Sequence, residues 1–417
     1  MMVAKLHPIL KWWLTPNFPN AQIIRTLNYK PQGTSSIIRN LFRTWIVHPI
    51  KRRLARYYLI ILRKIFNITV IGITGSAGKT STKEMLASIL TEAGETAYSY
   101  ANIDPIFNIP STILKCKRST RYLVLEMGVE YPGEMDFYIW LAKPDIGIIT
   151  NIYPTHTKFL GNSEGVFKEK IKLVLSSPKF VVLNQENRYL RKFKVSNRKN
   201  VLWFNEDSQV NVSNIKFTEN WKTCFEMTLE QGDKKTLQIT LPTFGTQFIS
   251  NALAAAVTAN ALGISPELIK KGLDDYHPPE HRMEIKKLIN GSILLDDSYN
   301  NNPNAAKIAI NNLNYISRKK IIVFGDMAEL GKTEIKYHLE LGRFIAKAKP
   351  SYLICVGVAS KWTASEAGKY LGQRRVALVK SWEEAERLLR PHLTKNAVVL
   401  VKGSRLIRLD KLVSRLS

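Results

Sequence analysis

The sequence predicts an α/β protein with three parts: a basic helical N-terminal segment, a central parallel-sheet unit, and a Rossmann-like α/β unit at the C-terminal end. Three observations carry this. Short β-branched and apolar runs at 68–73, 121–127 and 146–152 are separated by stretches of helical character such as 81–93, which is the pattern of a buried parallel sheet. The pattern resumes beyond a Pro278-Pro279 break, with apolar runs at 292–295, 320–324, 352–356 and 397–401. The 417 residues are 45% hydrophobic and 23% charged. That composition is globular, excludes a disordered or collagen-like chain, and the length suits more than one core.

The N-terminal segment, 1–67, is set apart by charge. Residues 1–69 contain twelve Lys or Arg and no Asp or Glu, and the first acidic residue of the chain is Glu84. The whole chain has 61 basic and 34 acidic residues, a net charge of +27. Such an excess points to anionic partners: nucleotide, nucleic acid or membrane surface. Residues 1–33, with Trp12, Trp13 and several prolines, read as an irregular arm; 37–65 reads as helical, broken near Pro49. Arg63, Lys64 and Asn67 interrupt the apolar stretch 57–73, which is too short and charged to span a bilayer. Three readings of the segment stand: a shortened substrate domain, an arm on the inner membrane surface with aromatic residues at the interface, or a helix packed on the α/β core or a partner. No nucleic-acid-binding module is recognisable. Cys116, Cys224 and Cys355 are isolated, with neither zinc spacing nor a disulfide framework, which suits a reducing cytoplasm. No secretory signal is visible, and a cytoplasmic location is expected.

The central unit, 68–276, opens on Gly72-Ile73-Thr74-Gly75-Ser76-Ala77-Gly78-Lys79-Thr80-Ser81 between a predicted strand and a predicted helix. Glycines let successive N–H groups face a phosphate, and the helix N-terminus adds positive partial charge. Lys79 would reach the β and γ phosphates of ATP and the Thr80 hydroxyl would bind Mg²⁺, with Gly75, Ser76, Gly78 and Ser81 completing the cradle. Residues 200–241 alternate polar and apolar and suggest a small antiparallel insertion; 248–262 is an Ala-rich helix; 276–281 reads as a linker to the second unit, 277–417.

The G-x-T-G-x-x-G-K-T variant resembles the Mur ligase family, ATP-dependent amide ligases of peptidoglycan precursor synthesis. Leu125-Glu126-Met127-Gly128, Thr150-Asn151-Ile152 with His156, Phe167-Lys168-Glu169-Lys170 and Asn251-Ala252-Leu253 follow in the family's order. In the second unit, Asp296-Asp297-Ser298-Tyr299-Asn300-Asn301-Asn302-Pro303, Gly325-Asp326-Met327, His338 and Lys402-Gly403-Ser404-Arg405 resemble the member that adds a D-alanyl-D-alanine dipeptide. The resemblance covers about 68–417. Departures are Gly245-Thr246-Gln247-Phe248 in place of G-x-H-N, a substrate-loop motif matched only at Asn102 and Pro110, and a basic segment where the family has its UDP-binding domain.

The resemblance implies an acyl-phosphate ligase using ATP and Mg²⁺. Its substrates would be a small-molecule or UDP-linked peptide carboxylate and an amino acid or dipeptide. The catalytic set would be Lys79, Glu126, His156 and Lys170, with Thr80, Glu126, His156 and a carbamylated Lys170 facing metal. Lys168 and Lys172 compete with Lys170 for that role. Asn251, Arg282, Asp297, Asn300 and Asn302 would contact ATP, and Lys402, Ser404 and Arg405 the incoming amine substrate. The alternative is a ligase of the same type joining another amino acid or peptide to a different carboxylate, a lipid-linked one among the options.

Overall fold

Six strands build the first sheet: β1 (Thr69–Thr74), β2 (Thr96–Tyr98), β3 (Tyr122–Glu126), β4 (Ile146–Ile149), β5 (Phe180–Asn184) and β6 (Val201–Phe204). All pair in parallel, in the order β2-β3-β1-β4-β5-β6. The computed structural model describes residues 7–19, 34–100, 103–193, 200–205, 210–230 and 234–417. After β1 the chain goes to one side for β2 and β3 and to the other for β4. The carboxyl ends of β1, β3 and β4 therefore flank a topological switch point, where open α/β sheets bind ligands.

A three-stranded antiparallel sheet follows: β7 (Val210–Phe217), β8 (Thr223–Leu229) and β9 (Lys235–Leu241). The insertion read at 200–241 is shorter than expected. Residues 201–204 are β6 of the parallel sheet, because they pair with 181–184. The second six-stranded sheet holds β10 (Glu284–Lys287), β11 (Ile293–Asp297), β12 (Lys319–Gly325), β13 (Tyr352–Val356), β14 (Val376–Val379) and β15 (Ala397–Lys402). Its order is β10-β11-β15-β12-β13-β14, and only the edge strand β10 runs antiparallel.

The N-terminal segment differs from expectation in two places. Residues Pro8–Leu14 form a helix rather than an irregular arm; 1–6 and 20–33 lie outside the described residues. The expected break near Pro49 is instead a π-helical turn, Arg43–Val47, joining the helices Thr34–Phe42 and His48–Phe66 without a gap. His48 N–H bonds back to the Arg43 carbonyl, five residues earlier. Pro49 then sits in the first turn of the next helix, where its missing N–H is tolerated. The Trp45 carbonyl, which Pro49 cannot serve, takes the Trp13 indole N–H at 2.6 Å.

One face of His48–Phe66 is core. Ala55, Leu59 and Leu62, with Leu14 and Phe18, pack against Ile106, Ile109, Leu123 and Phe137. Arg52 is buried on this face, 4.1 Å from the Phe18 ring centre and 5.4 Å from that of Phe137, and burial pushes its guanidinium down to about 9. Of the three readings of this segment, packing on the α/β core describes that inner face.

His338 pins the second unit from inside. Its Nε2 accepts the Met327 N–H at 3.3 Å, and its Nδ1 lies 2.8 Å from Thr363 Oγ1, whose hydroxyl donates to the His338 carbonyl at 3.1 Å. The ring is therefore neutral, with its proton on Nδ1. Burial lowers its pKa from 6.5 to about 4. The unfolded chain takes up this proton below pH 6.5 and the folded chain does not until about 4. Stability from this group is thus present above 6.5 and lost as pH falls through that window. Going from pH 7 to 5 is expected to remove about 2 kcal/mol in the wild type. Urea unfolding at both pH values should show a smaller loss in His338→Asn; equal slopes would refute this.

Candidate active site

The phosphate loop is held by the residues that follow β4, the strand beside β1. Ser76 N–H donates to the Asn151 carbonyl at 3.0 Å and Ala77 N–H to Asn151 Oδ1 at 2.8 Å. Asn151 Nδ2 and Thr150 Oγ1 both donate to the Ala77 carbonyl, at 3.0 and 2.6 Å. Ser76 Oγ bridges the Tyr153 carbonyl and N–H at 3.0 and 2.9 Å. The strand expected over 146–152 accordingly ends at Ile149, because the following residues leave the sheet to clamp the loop.

Glycine is required twice. A Cβ on Gly75 would fall 1.9 Å from Thr150 Oγ1; one on Gly78, whose φ is +79°, would fall 2.4 Å from Asn251 Oδ1. Gly78→Ala is expected to lower stability by roughly 1–2 kcal/mol from the left-handed backbone alone. It should also weaken ATP binding about tenfold or more by displacing Asn251 or the loop, a loss of the size one good hydrogen bond to a charged group carries. Calorimetric titration together with a melting curve checks both, and unchanged ATP affinity would refute the second.

The loop floors a cavity of about 520 Å³. Ser76, Gly78, Lys79, Thr80 and Ser81 line it from the first sheet, Asn251 from the helix Gln247–Ala261, and Asn211, Val212 and Ile215 from the antiparallel sheet. Arg282, Asp297, Asn300, Asn302 and Lys402 close it from the second unit. Eleven residues that the sequence nominates thus face one cleft, and Gly75 lies just behind it.

The cleft is cationic at its base. Lys79 is half-buried and its Nζ donates to the Gly75 carbonyl at 3.0 Å. Burial holds its pKa below the ordinary lysine value, Glu126 opposes that shift, and Arg282 adds to it. The buried Nε of Arg282 has no hydrogen-bond partner, while its guanidinium stacks 4.2 Å from the Tyr299 ring centre. A buried donor left unpaired near Lys79 suits a phosphate oxygen.

Lys170 separates cleanly from its neighbours on the helix Ser163–Ser176. Lys168 is exposed, and Lys172 is bound to Asp136 and Glu169 at 2.6 and 2.8 Å. Lys170 is 1% exposed, and burial, reinforced by Lys79, drives its pKa far below the usual value despite Glu134, Glu169 and Glu126. Burial that favours the neutral amine in this way makes it more nucleophilic and suits uptake of CO₂ as a carbamate. Glu126 ends β3, at the carboxyl edge of the sheet, half-buried.

His156 lies elsewhere in the arrangement. Its Nδ1 is 2.5 Å from Glu329 Oε2, across the two units, and both residues have positive φ. Lys158 N–H and Thr157 Oγ1 donate to the Glu329 and Leu330 carbonyls, at 3.2 and 3.1 Å. Glu130, His156 and Glu329 each bring a ligand atom within 4.8 Å of the others. Sequence reasoning did not nominate Glu130, which carries no motif.

Lys402 was grouped by sequence with the amine substrate. Its Nζ binds Asp297 Oδ2 at 2.6 Å and the Asn300 carbonyl at 2.9 Å, and the residue lines the cleft. Asn302 caps the helix Pro303–Asn312 through the Ala305 N–H at 2.9 Å. Ser404 is buried with an unpartnered Oγ, and Arg405, exposed, reaches Tyr299. At the departure Gly245-Thr246-Gln247, Gln247 Oε1 accepts from Asn312 Nδ2 at 2.7 Å and joins the two units. Asn102 lies outside the described residues.

Comparison with known proteins agrees with this geometry. Residues 73–259 match the Mur ligase middle domain, and 281–405 match the family described as Mur ligase, glutamate ligase domain. A UDP-N-acetylmuramoyl-tripeptide--D-alanyl-D-alanine ligase from Buchnera aphidicola subsp. Baizongia pistaciae is 34% identical over 367 residues, 85% of this chain and 76% of that protein. The ligase of the same name from Escherichia coli K12 is 30% identical over 357 residues, 83% and 76%. Among solved structures, MurF from Acinetobacter baumannii superposes with a TM-score of 0.79 at 26% identity, covering 88% of this chain and 80% of that one. A MurF ligase from Thermotoga maritima in complex with ADP, at 24% identity, shares the fold with a TM-score of 0.77 over 88% and 83% of the two chains. The chain belongs to the Mur ligase family.

Proposed function

We propose that this protein is an ATP-dependent amide ligase of peptidoglycan precursor synthesis, joining D-alanyl-D-alanine to a UDP-N-acetylmuramoyl-tripeptide. The observation that carries the reading is the cleft in which a clamped phosphate loop, Lys79, Lys402 and an arginine with a buried, unpaired Nε, Arg282, converge. Relatives with the D-alanyl-D-alanine ligase name, which this chain matches over most of its length, support the choice of substrates. We place the reaction in the cytoplasm, with residues 1–67 available to the inner face of the membrane.

The chemistry follows from the charges. The tripeptide carboxylate attacks the γ-phosphorus of ATP and ADP leaves, giving an acyl phosphate. The amine of the dipeptide then attacks the carbonyl carbon, an amide forms, and inorganic phosphate and a proton depart. Lys79 and Arg282 stabilise the charge that gathers on the phosphoryl oxygens. Asp297, held by Lys402, suits the ribose hydroxyls, and Asn251 sits against the loop at the cleft wall. Thr80 and Glu126 would hold one Mg²⁺, and His156 with the carbamate of Lys170 would serve a second; the ions would add neutralisation of phosphate charge. Ser404 and Arg405 are placed for the carboxylate of the dipeptide.

The test is phosphate release with Mg·ATP, UDP-N-acetylmuramoyl-tripeptide and D-alanyl-D-alanine, each omitted in turn, with the product weighed by mass spectrometry. Release that needs both substrates, with a pentapeptide product, is expected. Protein that binds ATP but releases none would overturn this substrate pair and favour a different carboxylate.

A further inference from the structure

We propose that the helical run 34–66 is an interfacial anchor, lying flat on an anionic lipid bilayer with its outward apolar face in the headgroup boundary. This deepens the peripheral placement above and stands apart from the ligase chemistry.

The helix His48–Phe66 has two apolar faces. One is buried in the core. On the opposite side Ile50, Leu54, Tyr57, Ile61 and Ile65 recur every three or four residues, and their exposures run from 43% to 64%. A helix packed on a soluble core ordinarily turns polar residues outward there. The stripe continues past the π turn through Ile46, Phe42 and Ile38, all exposed. From 38 to 65 it runs about 40 Å at the helical rise. A contiguous apolar surface of this length marks a partner.

Charge selects the partner. Arg39, Arg43 and Lys64 are exposed on this run, and residues 1–69 hold no acid to neutralise them. A second copy of the chain would set these cations against one another, whereas an anionic headgroup layer meets them all. Trp12, 64% exposed, is held beside the helix by Arg53, which donates to the Trp12 and Trp13 carbonyls and lies over both rings. Trp and Tyr favour the headgroup level, where one end of the ring is apolar and the other wet. Among the described residues no helix is long and apolar enough to cross a membrane, so the geometry is in-plane.

The test is flotation of the full chain with vesicles of phosphatidylcholine, alone or mixed with phosphatidylglycerol. Binding to the mixture only, reversed by salt, is expected. Leu54→Ser/Tyr57→Ser/Ile61→Ser should weaken it about tenfold or more, from the apolar area withdrawn. Arg39→Gln/Arg43→Gln/Lys64→Gln should weaken it about a hundredfold, at about fivefold per cation. Melting curves and ATP binding confirm the fold, and the glutamine variant carries the test if the serine variant fails to fold. Absence of flotation by folded protein, equal binding to neutral vesicles, or a concentration-dependent dimer abolished by the serine substitutions without lipid binding would each overturn the proposal. Ligase turnover in the same samples keeps the two readings apart, since either can fail alone.

Discussion

Lys79→Met is expected to reduce ligase turnover by about a thousandfold while leaving the protein folded, the size of loss seen when one preorganised charge stabiliser is removed. The side chain is half-buried, and desolvation together with the nearby Arg282 disfavours its ammonium. Methionine keeps most of the volume and removes the buried charge, so melting should be unchanged or slightly raised. What is lost is the response to an arriving phosphate. Within the protein the Gly75 carbonyl loses the hydrogen bond it accepts from Lys79 at 3.0 Å, and Glu126 loses a nearby cation. Turnover and a thermal melt on the same preparation decide the matter. Activity within tenfold of wild type would remove Lys79 from the chemistry, and a collapse of the melt would make its role structural.

Lys170→Ala should be as damaging, by about a thousandfold, and it comes with a pattern that a structural role would not give. Lys170→Glu supplies a carboxylate in the position of the carbamate and should recover at least about tenfold over the alanine variant. Lys168→Ala, on the exposed side of the same helix, should leave turnover unchanged. Lys172→Ala removes the partner of Asp136 and Glu169 and should reduce stability by about 1 kcal/mol, with little effect on the chemistry. Labelled bicarbonate and carbon NMR on the wild type and Lys170→Ala read the carbamate itself. A missing signal together with full activity of Lys170→Ala would refute the assignment.

Much of this site was legible because its signals are local. The phosphate loop is ten consecutive residues at a strand–helix junction, and Gly78 must be glycine whatever surrounds it. Lys170 was chosen over its neighbours by resemblance, since three lysines in five residues look alike until burial separates them. The bond of Lys402 could not be read: its partner Asp297 lies 105 positions away, and the two meet only because β11 and β15 are adjacent. Val201–Phe204 was misplaced for the same reason, as a short apolar run does not state which sheet it joins. Pro49 misled in the opposite direction. A proline usually ends a helix, but here the Trp13 indole N–H replaces the donor that Pro49 lacks. Asp326, read as part of a site motif, instead binds the N–H groups of Val358, Ala359 and Ser360 at the start of the next helix.

The clamp on the phosphate loop has a consequence for how the protein acquires its shape. The bonds from Thr150 and Asn151 to Ser76 and Ala77 join positions more than seventy residues apart. Contacts of that separation are closed late, after the chain entropy between them has been surrendered. The loop sequence alone therefore does not hold a nucleotide-ready form. It reaches that form only when β4 has docked beside β1. A refolding chain should regain nucleotide affinity together with its sheet rather than before it, and ATP becomes a probe of assembly as well as a substrate.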